Sequence, residues 1–224
     1  MSERSRARQR AGPDAGRRGT LLTEAPLIGL IGPIGCGKST VAGWLRQRGA
    51  AIVDADLLTR ALMVPGAPVT EAVIGHFGEE YRRPDGSLDR TALGRLVFSD
   101  SQRLAELEAI VHPAVAGVLE ATIREADSRR PTAIVLEAVK LVEAGHAGWC
   151  DEVWLVACDA DTQLARLTGR GMAAADACQR IEAQQSSMAV WRSAATRVVD
   201  VDAGPATVEA RVDSALREVL SRRE

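Results

Sequence analysis

The chain has 224 residues, 46% of them hydrophobic and only 3% aromatic, so it is long enough for one or two domains and its core must be aliphatic. Its 28 basic and 30 acidic residues leave a formal charge of −2, which gives no general electrostatic reason for a nucleic-acid or anionic-membrane partner. No apolar run approaches the roughly 18 residues that span a bilayer, and the longest candidate, from Pro26 to Gly37, is short and rich in glycine.

In chain order, the first 20 residues carry Arg4, Arg6, Arg8, Arg10, Arg17 and Arg18 with almost nothing apolar behind them. A secretory signal needs such an apolar stretch, so 1–26 reads as a disordered, Arg-rich tail. A basic arm for RNA or anionic lipid is the alternative. From residue 27 to 224 short apolar runs alternate with helical patterns, the signature of a parallel sheet covered by helices. Buried strands are expected at Leu27–Ile31, Ala51–Asp54, Ala133–Glu137, Glu152–Ala157 and Arg197–Val201. Helices are expected at Lys38–Arg48, Asp161–Arg170, Ala173–Ser187 and Ala206–Arg222. The second and third strands are too far apart for one crossover helix. The patterns between them, Val69–Phe77, Thr91–Phe98 and Ser101–Asp127, predict a helical insertion over about 57–128.

Cys36, Cys150, Cys158 and Cys178 have neither zinc spacing nor a C-x-x-C pair, and reduced thiols in the cytoplasm are the expectation. Cys36 reads as a small filler, with a redox switch as the alternative. His76 and His146 have no ligand cluster around them in sequence, so no zinc is expected.

Gly32-Pro-Ile-Gly-Cys-Gly37-Lys38-Ser39 fits G-x-x-x-x-G-K-[ST] in full, between an apolar strand and a helix that starts at Lys38. A triphosphate needs backbone N–H groups turned inward with no side chains in the way, which Gly35 and Gly37 permit. The positive end of the following helix points at the same anion. ATP is therefore expected along Pro33, Ile34, Gly35, Cys36, Gly37, Lys38, Ser39 and Thr40, with Lys38 on the β- and γ-phosphates and the Ser39 hydroxyl on Mg²⁺. Pro33, which has no N–H to donate, reads as a stiffener at the start of the loop.

A phosphate loop alone does not name an acceptor. The second strand ends in Asp54-Ala-Asp56, at the edge where open α/β sheets bind ligands. One carboxylate there is placed to take the proton of an acceptor hydroxyl, and the other to act on Mg²⁺ through water. Capping of the next helix by either aspartate explains the same residues, and spacing alone leaves both readings open.

Asp54-Ala-Asp56 resembles the Asp-x-Asp segment of dephospho-CoA kinases. Pro65-Gly-Ala-Pro68, Phe77-Gly78, Asp85-Gly-Ser-Leu-Asp-Arg90, Val97-Phe98, Leu107-Glu-Ala-Ile-Val-His112-Pro113, Gln163-Leu-Ala-Arg166-Leu and Arg180-Ile-Glu-Ala-Gln184 follow that family's order, from about Leu27 to Leu220. The resemblance implies a P-loop fold with a five-stranded parallel sheet, a helical substrate-binding insertion and a small lid over about 166–190. It implies ATP-dependent phosphorylation of the ribose 3′-hydroxyl of dephospho-CoA by a cytoplasmic enzyme, monomeric or weakly oligomeric. Asp56 would then activate the hydroxyl, assisted by Lys38 and Arg166. Asp54, Arg90, His112 and Glu143 would belong to the acceptor side, although a buried structural histidine explains His112 equally well. Arg166 and Arg170, one helical turn apart, would close on the phosphates with their planar forks, where the alternative is a solvated helix face.

Two segments depart from the family. Its Asp-x-Pro-Leu-Leu-Phe-Glu after the third strand is here Glu137-Ala-Val-Lys140-Leu-Val-Glu143, which puts Lys140 where an apolar residue is usual. Its Asp-Asn-x-Gly turn after the last strand is here Asp200-Val-Asp-Ala-Gly204. A related small-molecule or nucleoside monophosphate kinase, or a nucleotide-binding regulator without transfer activity, are the other readings.

Overall fold

The computed structural model describes residues 21–223, so most of the tail assigned to 1–26, residues 1–20, lies outside them. Five parallel strands form one sheet in the order β2-β3-β1-β4-β5, with β1 at Leu27–Ile31, β2 at Ala51–Asp54, β3 at Ile134–Glu137, β4 at Glu152–Ala157 and β5 at Arg197–Asp200. Every residue of β1 and β4 is buried. Their side chains serve two faces in alternation, which is why both strands read as continuous apolar runs. On one face Ile28, Leu30, Trp154 and Val156 pack against α1 (Lys38–Gln47) and α8 (Pro205–Ser221). On the other Leu27, Ile31, Leu136 and Leu155 pack against Leu119 and Ile123 of α5 (Ser101–Ser128) and Trp191 of α7 (Ala174–Ala194).

The stretch between β2 and β3 holds α2 (Ala55–Leu62), α3 (Pro68–Phe77), α4 (Arg90–Ser99) and α5. Val73, Ile74, Phe77, Leu93 and Val97 form a separate small core against Leu104, Leu107 and Ile110 of α5. Pro113 sits inside α5. It removes one helical hydrogen bond and crowds the preceding turn. It also marks a change of partner: the helix faces the insertion core before it and the sheet after it.

Most element boundaries fall within one residue of expectation, and larger differences occur at two helices. Helix α2 was not foreseen as an element, although its cap, Asp54, was named as a candidate cap. Helix α7 runs past the polar Gln184-Gln-Ser-Ser stretch to Ala194, because buried Trp191 fastens its last turns to the sheet. Residues 21–26, placed with the tail in the sequence reading, are held by the domain. Glu24 and Ala25 donate their N–H groups to the Asp127 carboxylate, both at 2.9 Å, and Ala25 is buried.

Polar anchors of the frame lie away from the carboxyl edge of the sheet. Glu152, buried at the start of β4, accepts from Trp154 Nε1 at 2.7 Å, Arg222 Nη1 at 2.7 Å and Arg197 Nε at 3.3 Å. Arg48 clamps α1 to α8 through Glu209, at 2.8 Å, and Asp213.

Candidate active site

The loop between β1 and α1 turns through Gly35 (φ 82°) and Gly37 (φ 92°), left-handed conformations that β-carbon-bearing residues avoid. Lys38 folds back over the loop and donates from Nζ to the Gly32 carbonyl at 2.7 Å. Burial lowers the pKa of its ammonium, and the charges of Glu137 and Asp56 raise it again. Ser39 and Thr40 stand exposed in the first turn of α1.

Two helices that follow β4 touch this loop directly. From α6 (Ala160–Gly169), Gln163 Nε2 donates to the Ile34 carbonyl at 2.7 Å and Arg166 Nη1 donates to the Cys36 carbonyl at 3.2 Å. Arg166 Nη2 donates to the Val201 carbonyl at 3.1 Å, so the arginine bridges the phosphate loop and the turn after β5. From α7, Gln184 Oε1 accepts the Ile34 N–H at 2.8 Å. Arg170 is the exposed C-cap of α6, one turn further from the loop. The Asp200–Gly204 turn packs at the root of α6, where Asp202 Oδ2 accepts the Asp159 N–H at 2.9 Å.

Strand β3 lies between β1 and β2, and its last residue, Glu137, is in register with Leu30 on one side and Asp54 on the other. Glu137 and Asp56 therefore act on Lys38 from the same edge, with Asp54 beside Glu137. The Glu137 carboxyl is shifted upward, first by burial and then by Asp54 and Asp56, against the opposing pull of Lys38. The two aspartates divide their tasks. Asp54 caps α2, its Oδ1 accepting the Leu57 N–H at 2.8 Å, so the capping alternative holds for it. Asp56, in the first turn of α2, instead lines a cavity of about 490 Å³ between the sheet edge and the insertion.

That cavity is walled by apolar residues of α4 and α5, among them Leu93, Val97, Leu107 and Val111, and carries the cations Arg60, Arg90 and Lys140 on its lining. Arg90, the first residue of α4, also reaches the Met63 carbonyl at 3.5 Å. His112 is exposed on the cavity lining, which removes the reading of it as a buried structural histidine. Glu143 is not where the acceptor reading put it: its Oε1 accepts from Trp191 Nε1 at 2.9 Å, and it is absent from the cavity wall. The spacing Glu137 to Glu143 matched the family, but Glu143 lies past the sheet edge, exposed in the turn after β3, where Trp191 of α7 reaches it.

Sequence reasoning missed three contributors. Gln163 and Gln184 were named only as family matches, and their grip on Ile34 depends on two helices more than a hundred positions away. Glu137 was credited only with acidic character. The cysteine expectation also fails for one pair. Cys36 and Cys158 are joined by a disulfide with Cα atoms 5.4 Å apart, because the phosphate loop and the end of β4 meet at neighbouring strands. No local spacing reports such an encounter.

The model of the family described as dephospho-CoA kinase matches residues 26–207. The chain belongs to the dephospho-CoA kinase family. A dephospho-CoA kinase of Symbiobacterium thermophilum is 44% identical over 192 residues, spanning 85% of this chain and 80% of the relative. One of Geobacter metallireducens is 46% identical over 159 residues, 70% of this chain and 79% of the relative. The solved dephospho-CoA kinase of Campylobacter jejuni superposes with a TM-score of 0.62 over 88% of this chain and 98% of its own; at 18% identity it speaks for the fold. The dephospho-CoA kinase family catalyses the last step of coenzyme A synthesis, and the P-loop, parallel sheet and helical insertion described above are its frame.

Proposed function

We propose that Asp56 is the group that receives the proton of the dephospho-CoA ribose 3′-hydroxyl as the γ-phosphoryl of ATP is transferred to that oxygen, giving ADP and coenzyme A. One observation carries this reading. Asp56 lines the acceptor cavity and at the same time acts electrostatically on Lys38 of the phosphate loop, so acceptor and donor sites meet at that pair.

Each residue then has a task set by its position. The loop amides and Lys38 hold the phosphates and balance charge that spreads over the transferring oxygens. Arg166, within reach of the loop backbone, adds a planar cation to the phosphates, with Arg170 a second at the end of the same helix. The Ser39 hydroxyl and the carboxylates facing Lys38 are hard oxygen donors of the kind Mg²⁺ takes, and Ser39 is the residue that would hold it. The ion supplies charge neutralisation between phosphate oxygens when bound. The apolar wall of the cavity suits the pantetheine arm of the acceptor, and Arg60, Arg90 and Lys140 suit its diphosphate. Positioning and electrostatics carry most of phosphoryl-transfer catalysis, so no covalent enzyme intermediate is invoked. Among the described residues no helix is long and apolar enough to cross a membrane.

The test is ADP release by the purified chain with Mg²⁺ and ATP, comparing dephospho-CoA with adenosine, AMP and shikimate. Turnover confined to dephospho-CoA, with coenzyme A as product, is expected. Turnover with another acceptor alone would replace the substrate, and ATP binding without turnover on any acceptor would replace the enzyme by a regulator.

A further inference from the structure

Cys36 occupies the position just before Gly37 and Lys38, and its side chain is fully buried, turned away from the phosphate side of the loop into the core beneath it. Its partner, Cys158, is the first residue after β4 and is partly exposed. Cys158 also directly precedes Asp159, the N-cap of α6, whose side chain accepts the Thr162 N–H. The bond therefore ties the phosphate cradle to the root of the helix that carries Gln163 and Arg166, across 122 positions of sequence.

The other two cysteines have different settings. Cys178 is exposed on α7. Cys150 is a free thiol held up at about 12 by burial and by Asp151, and its Sγ donates to the His146 carbonyl at 3.6 Å. Neither is bonded to Cys36 or Cys158.

The geometry points to a reversible thiol–disulfide site, in which Cys36 and Cys158 exchange with a low-molecular-weight disulfide and the oxidised form binds ATP more weakly. Exposure sets the order of events. The Cys158 thiolate attacks one sulfur of the external disulfide RS–SR, forming Cys158–S–S–R and releasing RS⁻. The Cys36 thiolate then attacks the Cys158 sulfur, closing the internal disulfide and releasing the second RS⁻. The two protons lost by the enzyme thiols end on the two released thiols. One external disulfide is reduced and one enzyme dithiol is oxidised, so the exchange balances without a further reactant.

The consequence for ATP follows from what the loop already touches. The Ile34 N–H is occupied by Gln184, and the Arg166 guanidinium lies on the Cys36 carbonyl. For Arg166 to leave the Cys36 carbonyl and face phosphate instead, the loop and α6 must shift relative to one another, while release of the Ile34 N–H requires Gln184 of α7 to withdraw. A covalent link between Cys36 and the residue before the α6 cap opposes that shift, and its removal frees it.

The experiment uses the full chain, reduced with dithiothreitol or equilibrated with oxidised glutathione. Intact mass and titratable thiols are measured, together with the dissociation constant for Mg²⁺-ATP in the absence of any acceptor. We expect oxidation to consume the Cys36 and Cys158 thiols without adding glutathione to either, while any adduct on exposed Cys178 is read separately from its mass. Peptide mapping should join residues 36 and 158, and the dissociation constant should rise about fivefold or more, reversing with dithiothreitol. Cys158→Ser should bind ATP like the reduced chain under both conditions. Four thiols after oxidation, a glutathione adduct that stays on Cys158, or one dissociation constant for both states would each overturn the proposal. Because no acceptor is present, these outcomes are independent of whether dephospho-CoA is the substrate.

Discussion

Lys38 and Glu137 share one partly desolvated recess at the carboxyl edge of the sheet, and burial pushes each toward its neutral form while each charge holds the other ionised. The pair results from strand order alone. β3 is inserted between the strand that leads into the phosphate loop and the strand that leads to Asp56, so its terminal residue ends beside both.

Removing Glu137 takes away the main charge that supports the Lys38 ammonium. Glu137→Gln should therefore move the alkaline limb of the kcat/KM profile for ATP to lower pH, because Lys38 then loses its proton sooner. The stability effect has its own sign. The Glu137 carboxyl is raised in the folded chain, so its contribution is fully present below the unfolded value of 4.5 and is lost as pH rises through the folded value. Wild type should thus lose stability relative to Glu137→Gln over the window just above pH 4.5, read as the difference in Tm between the two across that range. Parallel Tm curves and an unmoved alkaline limb would show that the two groups do not interact.

Asp56→Asn keeps the shape of the cavity wall and removes the base. We expect kcat to fall about 10²–10³-fold with ATP affinity nearly unchanged, measured by steady-state kinetics beside an equilibrium ATP titration. An equal loss in ATP affinity would move Asp56 from the acceptor to the nucleotide.

Lys140 is exposed on the cavity lining, and no hydrogen bond or ion pair of its side chain is recorded among the described residues. No residue of the phosphate loop lines that cavity, so on the proposed reading the ammonium serves the acceptor side. Lys140→Leu should raise KM for dephospho-CoA about three- to tenfold with kcat and KM for ATP retained, and Lys140→Arg should recover most of the loss. A change confined to KM for ATP would assign the lysine to the γ-phosphate.

Glu143 separates a structural from a substrate role. Trp191 is 1% exposed, and Glu143→Ala removes the acceptor of its indole N–H. Leaving that donor unpaired should cost about 1–2 kcal/mol, lowering Tm by several degrees. KM for dephospho-CoA should stay within about twofold of wild type. A large KM change at unaltered Tm would return Glu143 to the acceptor site.

Much of this protein was legible in its sequence. The phosphate loop is a local device: the glycines, the lysine and the helix start that it requires are consecutive, so eight letters specify it. The strands were equally plain, since a strand buried on both faces has to be a continuous apolar run, and Leu27–Ile31 and Glu152–Ala157 were placed without error. The order of family motifs along the chain was visible too, and with it the kinase.

Tertiary structure decided the rest, wherever the partner of a residue lies on another element. Asp54 and Asp56 are two positions apart and equivalent by type; only the start of α2 turns one into a cap and leaves the other on the cavity. Glu143 kept its family position yet binds Trp191, because the last turns of α7 bring the indole to it. Cys36 and Cys158 carry no mutual signal, being 122 residues apart, and meet only because β1 and β4 are hydrogen-bonded neighbours. Chemistry held within one loop is written in consecutive residues, whereas chemistry made by strand order appears only when the sheet has closed.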